Sequence, residues 1–298
     1  MSVLVAQAPR AEVDAAPRYP ASRRVDLIDL SPRDRGLVRI RGRIRFWGGW
    51  ILRIGVPISI VIVWQLVVSQ GIVSEDQLPS PRTIGEAYQY LWEIGSLQDA
   101  LPVSLRRAAQ GLLLGGGLGL ILGIFAGLWK IGEEIFDATL QMIRTVPFIA
   151  LVPLFVTWFG IEESSKLALI TAASLFPMYL NTYHAVKGVD VKLIEAGKSY
   201  GLSGLQIATR IIFPTALPGI LTGLRFSAGF ALLSLVLAEQ VNTTEGIGYL
   251  VMNAQNNQRP DIVLAGIWIY AVLGILIDFV MRGVERVALP WRARVGIG

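Results

Sequence analysis

From Ala108 to Trp129 the chain runs for 22 residues without a charged side chain, and within that run glycine returns at 111, 115, 119, 123 and 127. A helix needs about 20 mostly apolar residues to cross a bilayer, so this stretch by itself predicts a transmembrane helix. Positions four apart share one helical face, and glycines at that interval cut a groove into which another helix backbone can settle. Close packing within the same chain is the simpler use of such a groove; a seam between subunits is the other.

The rest of the sequence follows suit. Only 16% of the 298 residues are charged, where soluble domains carry about a quarter. Further apolar stretches at 50–70, 135–158, 165–186, 215–240 and 262–283 bring the expected spans to six, and the fold class to an all-α, polytopic membrane protein. The stretch at 135–158 holds Arg144, Pro147 and Pro153 and is expected to be kinked or broken. Basic residues fall unequally on the two sides. Ten arginines lie in residues 1–50, one lysine in 130–137, four Lys or Arg in 187–214 and four from Arg282 onward, whereas the opposite loops hold only Arg82, Lys166 and Arg259. The positive-inside rule therefore predicts that both termini and the 187–214 insert are cytoplasmic.

Residues 1–45 read as an Arg-rich, partly disordered cytoplasmic tail, 46–75 as the first transmembrane helix, and 76–290 as a core with five more. Such a tail is drawn weakly to anionic membrane lipid; a nucleic-acid-binding arm is disfavoured by the span that follows directly. Its apolar run, Ser2 to Ala8, is too short for a secretory signal, and Arg10 follows rather than precedes it.

Several chemistries are excluded. The chain has no cysteine and a single histidine, His184, so neither a disulfide nor a thiolate or His-cluster metal centre is available, and no cofactor is expected. Gly197-Lys198-Ser199 imitates the end of a phosphate-binding loop, but Lys192 stands where that loop needs its first glycine. Gly115-Gly116-Gly117 lacks the preceding strand and the third glycine of a dinucleotide fingerprint. The chain is thus not expected to bind or hydrolyse ATP, nor to be an enzyme.

Polar groups inside the spans are the candidates for a pathway or gate, because an arginine at mid-bilayer costs about 2.5–3.5 kcal/mol. Arg225 and Glu239 are fourteen residues apart in one span, which leaves them about 40° apart around the helix, on a common face. A structural ion pair and a water-facing position are both open for them. Arg144 and Asn181 complete the candidates; Arg144 can also snorkel to the interface, and Asn181-Thr182 and Tyr183 can serve hydrogen bonding between helices. Asp278 is spaced to meet Arg282 one helical turn on.

Between the fourth and fifth spans sits a polar cassette: Glu195-Ala196-Gly197, then Gly201, then Ile211 and Pro214. Glu195 to Tyr200 reads as helix, Gly201 as a breaker, Leu205 to Ile212 as helix resumed, and Pro214 as the entry to the next span. This cassette resembles the cytoplasmic signature of ATP-binding-cassette importer permeases: Glu-Ala-Ala, three residues, Gly, nine residues, Ile-x-Leu-Pro. Both spacings are kept, with Gly197 replacing the second alanine of the signature and Phe213 its leucine. Gly197 is expected to loosen the first short helix by about 0.5–1 kcal/mol.

Further runs look like one branch of that family, the permeases for aliphatic sulfonates, taurine, nitrate and bicarbonate: Leu78-Pro79-Ser80-Pro81, Ser104-Leu105-Arg106-Arg107, Arg144-Thr145-Val146-Pro147, Trp158-Phe159-Gly160-Ile161, Ser165-Lys166, Asn181-Thr182, Gly223-Leu224-Arg225, Ala238-Glu239 and Gly246-Ile247-Gly248. The resemblance implies a type I importer (MetI-like) fold in a bacterial cell membrane. It also implies a homodimer of permeases, two cytoplasmic ABC ATPase subunits and an extracytoplasmic substrate-binding protein. Glu195, Ala196, Gly197, Gly201, Ile211 and Pro214 would grip the ATPase. Sulfonates are the first substrate it suggests; nitrate, bicarbonate or a thiamine-precursor pyrimidine are alternatives within the family. An ion-coupled carrier would show an inverted repeat and midplane carboxylates, and a membrane enzyme clustered nucleophile and base; neither pattern is present in the sequence.

Overall fold

The computed structural model describes residues 55–291, apart from Thr145 and Asn242. The chain divides into two units, Met1–Val61 and Ile62–Gly298; of the first only residues 55–61 are described, and they are helical. The expected Arg-rich tail and the beginning of the first span lie outside the described residues.

Among the described residues every regular element is a helix. They are α1 (Gly55–Ser69), α2 (Pro81–Glu93), α3 (Ser96–Leu128), α4 (Lys130–Arg144), α5 (Val152–Phe159) and α6 (Glu163–Lys187). The short α7 (Val191–Ser199) and α8 (Gly204–Ile207) follow, then α9 (Phe213–Gln240), α10 (Ile247–Asn256) and α11 (Pro260–Ala288). Three helical stretches, Ser96–Leu128, Gly204–Gln240 and Pro260–Ala288, are long and apolar enough to cross a membrane.

The expected span at 165–186 coincides with the 25-residue helix α6, which is long enough but not apolar enough to stand with those three. It is sandwiched between α3 and α9, so packing rather than lipid receives much of its surface. The glycine ladder of α3 explains how α6 comes so close. A Cβ at Gly115 would overlap the carbonyl oxygen of Thr171, and one at Gly119 would lie 2.5 Å from the carbonyl oxygen of Leu175. The groove is therefore filled within the chain, by α6. On its other side α6 meets α9, where a Cβ at Gly223 would come within 2.8 Å of Asn181 Cβ and the Ser227 hydroxyl donates to the Ser174 carbonyl at 2.8 Å.

The third expected span is broken, as its prolines predict. α4 ends at Arg144, a 3-10 turn covers Phe148–Leu151 after Pro147, and α5 restarts with Pro153 in its first turn. The Leu78–Pro81 run also has a local reason. Ser80 caps α2, accepting from the Thr83 N–H at 3.2 Å, and Pro81 opens the helix where a missing N–H costs nothing. That orients Ile84, Ala87 and Leu91 into a cluster with Ala254, Ile262 and Ala265.

Candidate functional site

The cassette folds as two short helices set against each other. Asp190 caps α7 by accepting from the Lys192 N–H at 2.9 Å. Gly201 has φ +75°, a left-handed conformation that reverses the chain and that a side chain would strain. Ser203 and Gln206 then form a reciprocal capping box that starts α8. Gly197 is buried, and a Cβ there would lie 2.6 Å from Ile211 Cδ1. Gly197 is thus the point where the first short helix rests on the second, beyond the loosening expected from the sequence. Glu195 and Ala196 face solvent on the same helix.

Beyond α8 the chain does not break before the next span. Residues 208–212 form a π-helical turn in which the Phe213 N–H reaches the Ala208 carbonyl, and Gly204–Gln240 continues as one helix of 37 residues. The wide turn sits where Pro214 would otherwise press on the preceding backbone, so proline marks an uninterrupted entry. Two side chains that sequence reasoning passed over dominate the outside of the cassette: Tyr200 is 87% exposed and Leu205 76%. Their signal was available, since both are large apolar residues within an otherwise polar insert.

The far end of the same helix is the opposite in kind. Arg107 on α3 is 4% exposed and Glu239, next to last on α9, 1%. Arg107 grips Glu163 with two nitrogens, Nε donating to Oε2 at 2.7 Å, while its Nη1 donates to Glu239 Oε1 at 2.9 Å and to the Glu245 carbonyl at 2.8 Å. Glu239 also accepts from the Ser104 hydroxyl at 2.7 Å, the Gly248 N–H at 2.9 Å and the Tyr270 hydroxyl at 3.2 Å. Ser104 in turn accepts from the Ile247 N–H at 2.9 Å, and Lys166 donates to Glu163 at 3.0 Å. Two cations and two anions balance, and donors surround the buried carboxylate. Glu163, just ahead of the 165–186 span, is held at about 2 by hydrogen bonds from Arg107, then Lys166.

Four of the runs quoted above converge here: Ser104–Arg107, Ser165-Lys166, Ala238-Glu239 and Gly246–Gly248. The two glycines are needed for contact. A Cβ at Gly248 would overlap Glu239 Cβ, and one at Gly246 (φ +108°) would lie 2.8 Å from Arg107 Nη1.

Of the readings left open for Arg225 and Glu239, the structural ion pair holds for each residue, but with other partners. The two do not meet, because fourteen residues on a common face are still about 21 Å apart along the axis. Arg225 turns to α11, donating to Glu285 at 2.8 Å and lying 3.5 Å from Asp278, which also pairs with Arg282 as its spacing predicts. Asn181 donates to Pro177 of its own helix at 2.8 Å and Thr182 Oγ1 makes no hydrogen bond, whereas the Tyr183 hydroxyl donates to Glu133 of α4 at 2.9 Å and so makes the expected bond between helices. Asn181 borders an apolar cavity of about 340 Å³ walled by Phe148, Phe176, Phe226 and Phe230; Arg225 borders a second, of about 410 Å³, that shares Phe226 and Phe230 with the first. The Arg144 side chain lies outside the described residues.

Long apolar helices that bury their charges in balanced sets and turn hydrophobic faces outward define an integral membrane protein. Residues 119–288 match the model of the binding-protein-dependent transport system inner membrane component, and the chain belongs to that family: it is a multi-pass permease subunit, not a catalytic one. SsuC of Bacillus subtilis, described as an aliphatic sulfonates transport permease protein, is 43% identical over 251 residues, 84% of this chain and 90% of SsuC. The protein of the same description in Escherichia coli is 44% identical, with 81% and 93% covered. TauC of Escherichia coli, a taurine transport system permease protein, is 34% identical, with 82% and 90% covered. In fold, the chain is similar to one from the MetNI methionine ABC transporter in an inward-facing conformation, with a TM-score of 0.51 at 17% identity over 63% of this chain and 95% of that one.

Proposed function

We propose that this permease takes up aliphatic sulfonates, driven by a pair of cytoplasmic ABC ATPase subunits that grip the 195–214 cassette. In this reading two copies of the chain form the translocation path, both termini lie in the cytoplasm, and an extracytoplasmic binding protein delivers the substrate. The observation that carries the ATPase reading is the cassette itself: two small helices, locked together at Gly197, that present Tyr200 and Leu205 to solvent at the root of a continuous helix. Glu195, Ala196, Gly201, Ile211 and Pro214 shape that surface. The substrate rests on the relatives, which are described as serving aliphatic sulfonates and taurine. The cavity beside Asn181 supplies an apolar wall for an alkyl chain, while Arg225 is already neutralised by Glu285 and Asp278.

Two measurements test this. Affinity purification of the chain should bring down an ABC ATPase, and Glu195→Lys or Gly201→Asp should abolish uptake while leaving membrane insertion intact. Uptake of labelled alkanesulfonates, taurine and nitrate in a strain lacking the gene should favour the alkanesulfonates. Transport by the purified chain alone in nucleotide-free liposomes would end the ATPase reading, and preference for nitrate would end the sulfonate one.

A further inference from the structure

One helix joins the two sites. Roughly its first three turns are the second half of the cassette, and its next-to-last residue is Glu239. Between Gly204 and Glu239 the rise is about 50 Å, enough to carry a displacement across a bilayer. Glu239 in turn holds the start of α10 by consecutive backbone N–H groups, Gly248 directly and Ile247 through the Ser104 hydroxyl. The absence of side chains at Gly246 and Gly248 lets this contact close completely, so α10 has no slack against the end of α9.

We propose, building on the permease reading above, that Ser104 and Glu239 are positioning residues for coupling. They make α10 move with the cassette helix, so that a binding protein settling on the outer face is felt at the ATPase. Coupling between distant sites needs an element whose state both sites bias. The 204–240 helix is that element, gripped at one end by the ATPase and clasped at the other to α10. The far side of α10 is open to a partner: Leu250, Asn253 and Asn257 border a groove of about 400 Å³ shared with Tyr90 and Arg259. Its near side is seated on α11, where Val251 fits over Gly266. A purely structural clasp would hold the fold together without regard to what docks on α10.

The test uses the complete transporter, with its ATPase and binding protein, in lipid nanodiscs. ATP hydrolysis is measured without and with substrate-loaded binding protein. Ser104→Ala removes the bridge to Ile247 and leaves the Arg107–Glu239 pair; Glu239→Gln keeps the shape and removes the charge. Stimulation by the binding protein should fall about five-fold or more, the lower end of typical coupling effects, while basal hydrolysis and the amount of ATPase retained stay within about two-fold of the unaltered complex. Basal and stimulated rates falling together would overturn the proposal, and so would full stimulation in Ser104→Ala. Should Glu239→Gln fail to fold, Ser104→Ala decides alone. Failure of the unaltered chain to retain an ATPase would overturn the permease reading and the coupling role with it, a different signature from an assembled complex that responds normally.

Discussion

The two ends of the 204–240 helix differ in what they leave unfinished. At the Glu239 end, charges are buried and balanced within the chain itself, and glycines close the contact. At the cassette end, local devices such as Asp190, Gly201 and the Ser203–Gln206 box hold each short helix, but Tyr200 and Leu205 stand in solvent. The first end is complete as a folded object. The second, on the function proposed above, is completed by a partner. Burial and satisfaction, more than the identity of any residue, set the two ends apart and support the proposed reading of the second as a handle.

The comparison breaks if removing a charge costs the same at both ends. Arg107→Ala leaves Glu239 buried without its counter-charge and should destabilise the chain by about 3–5 kcal/mol, the cost of orphaning one member of a buried pair. Glu195→Ala, on the exposed face of α7, should change stability by no more than about 0.5 kcal/mol. Thermal unfolding in detergent measures both, and equal shifts would show that the clasp is no more integral than the cassette.

The body between the two ends should respond to single methyl groups according to where they point. Gly115→Ala drives a Cβ into the Thr171 carbonyl of α6, and overpacking against backbone should cost about 1–3 kcal/mol. Gly117 has open space around it, so Gly117→Ala should be neutral or stabilise by up to about 1 kcal/mol through helix propensity. Paired unfolding curves would show whether α3 and α6 are one rigid body.

At the handle the expected loss is in assembly. Tyr200→Ala and Leu205→Ala should leave unfolding unchanged, yet each should weaken ATPase retention by about ten-fold, as truncation of an interface anchor does. Retention is read by titrating detergent-solubilised chain with the ATPase. Unaltered retention in both variants would mean that the exposed apolar residues are not the grip.

Much of this architecture was legible in the sequence, because its signals are periodic or local. Glycines every four residues announced the α3 groove, paired prolines the break between α4 and α5, and the spacing from Glu195 to Pro214 the helix–turn–helix insert. What stayed hidden depends on distance in space. Arg107, Glu163 and Glu239 are 132 residues apart at the extremes and meet through three different helices. A helical wheel put Arg225 and Glu239 on one face but says nothing of separation along the axis, and each found its partner elsewhere. Gly197 read as a weak point by propensity, yet its missing side chain is what admits Ile211.

The smallest expected effect tests whether the exposed rim of the clasp belongs with its buried centre. Glu163 is half-exposed, and its carboxyl is brought down from 4.5 to about 2. A depressed carboxyl pKa gives stability that is fully present above the unfolded value, about 4.5. It is lost as pH falls through the folded value, about 2. The ion pair with Arg107 and Lys166 should therefore contribute at neutral pH and fade between about pH 4.5 and 2. Other acids titrate in that range, so the measurement is a difference: the unfolding temperature of the unaltered chain minus that of Glu163→Gln, followed from pH 6 downward. That difference should be positive at pH 6 and shrink towards zero as the carboxyl takes up its proton. A difference that is flat with pH would mean that Glu163 acts only through the shape it fills, and that the clasp proper ends at Arg107 and Glu239.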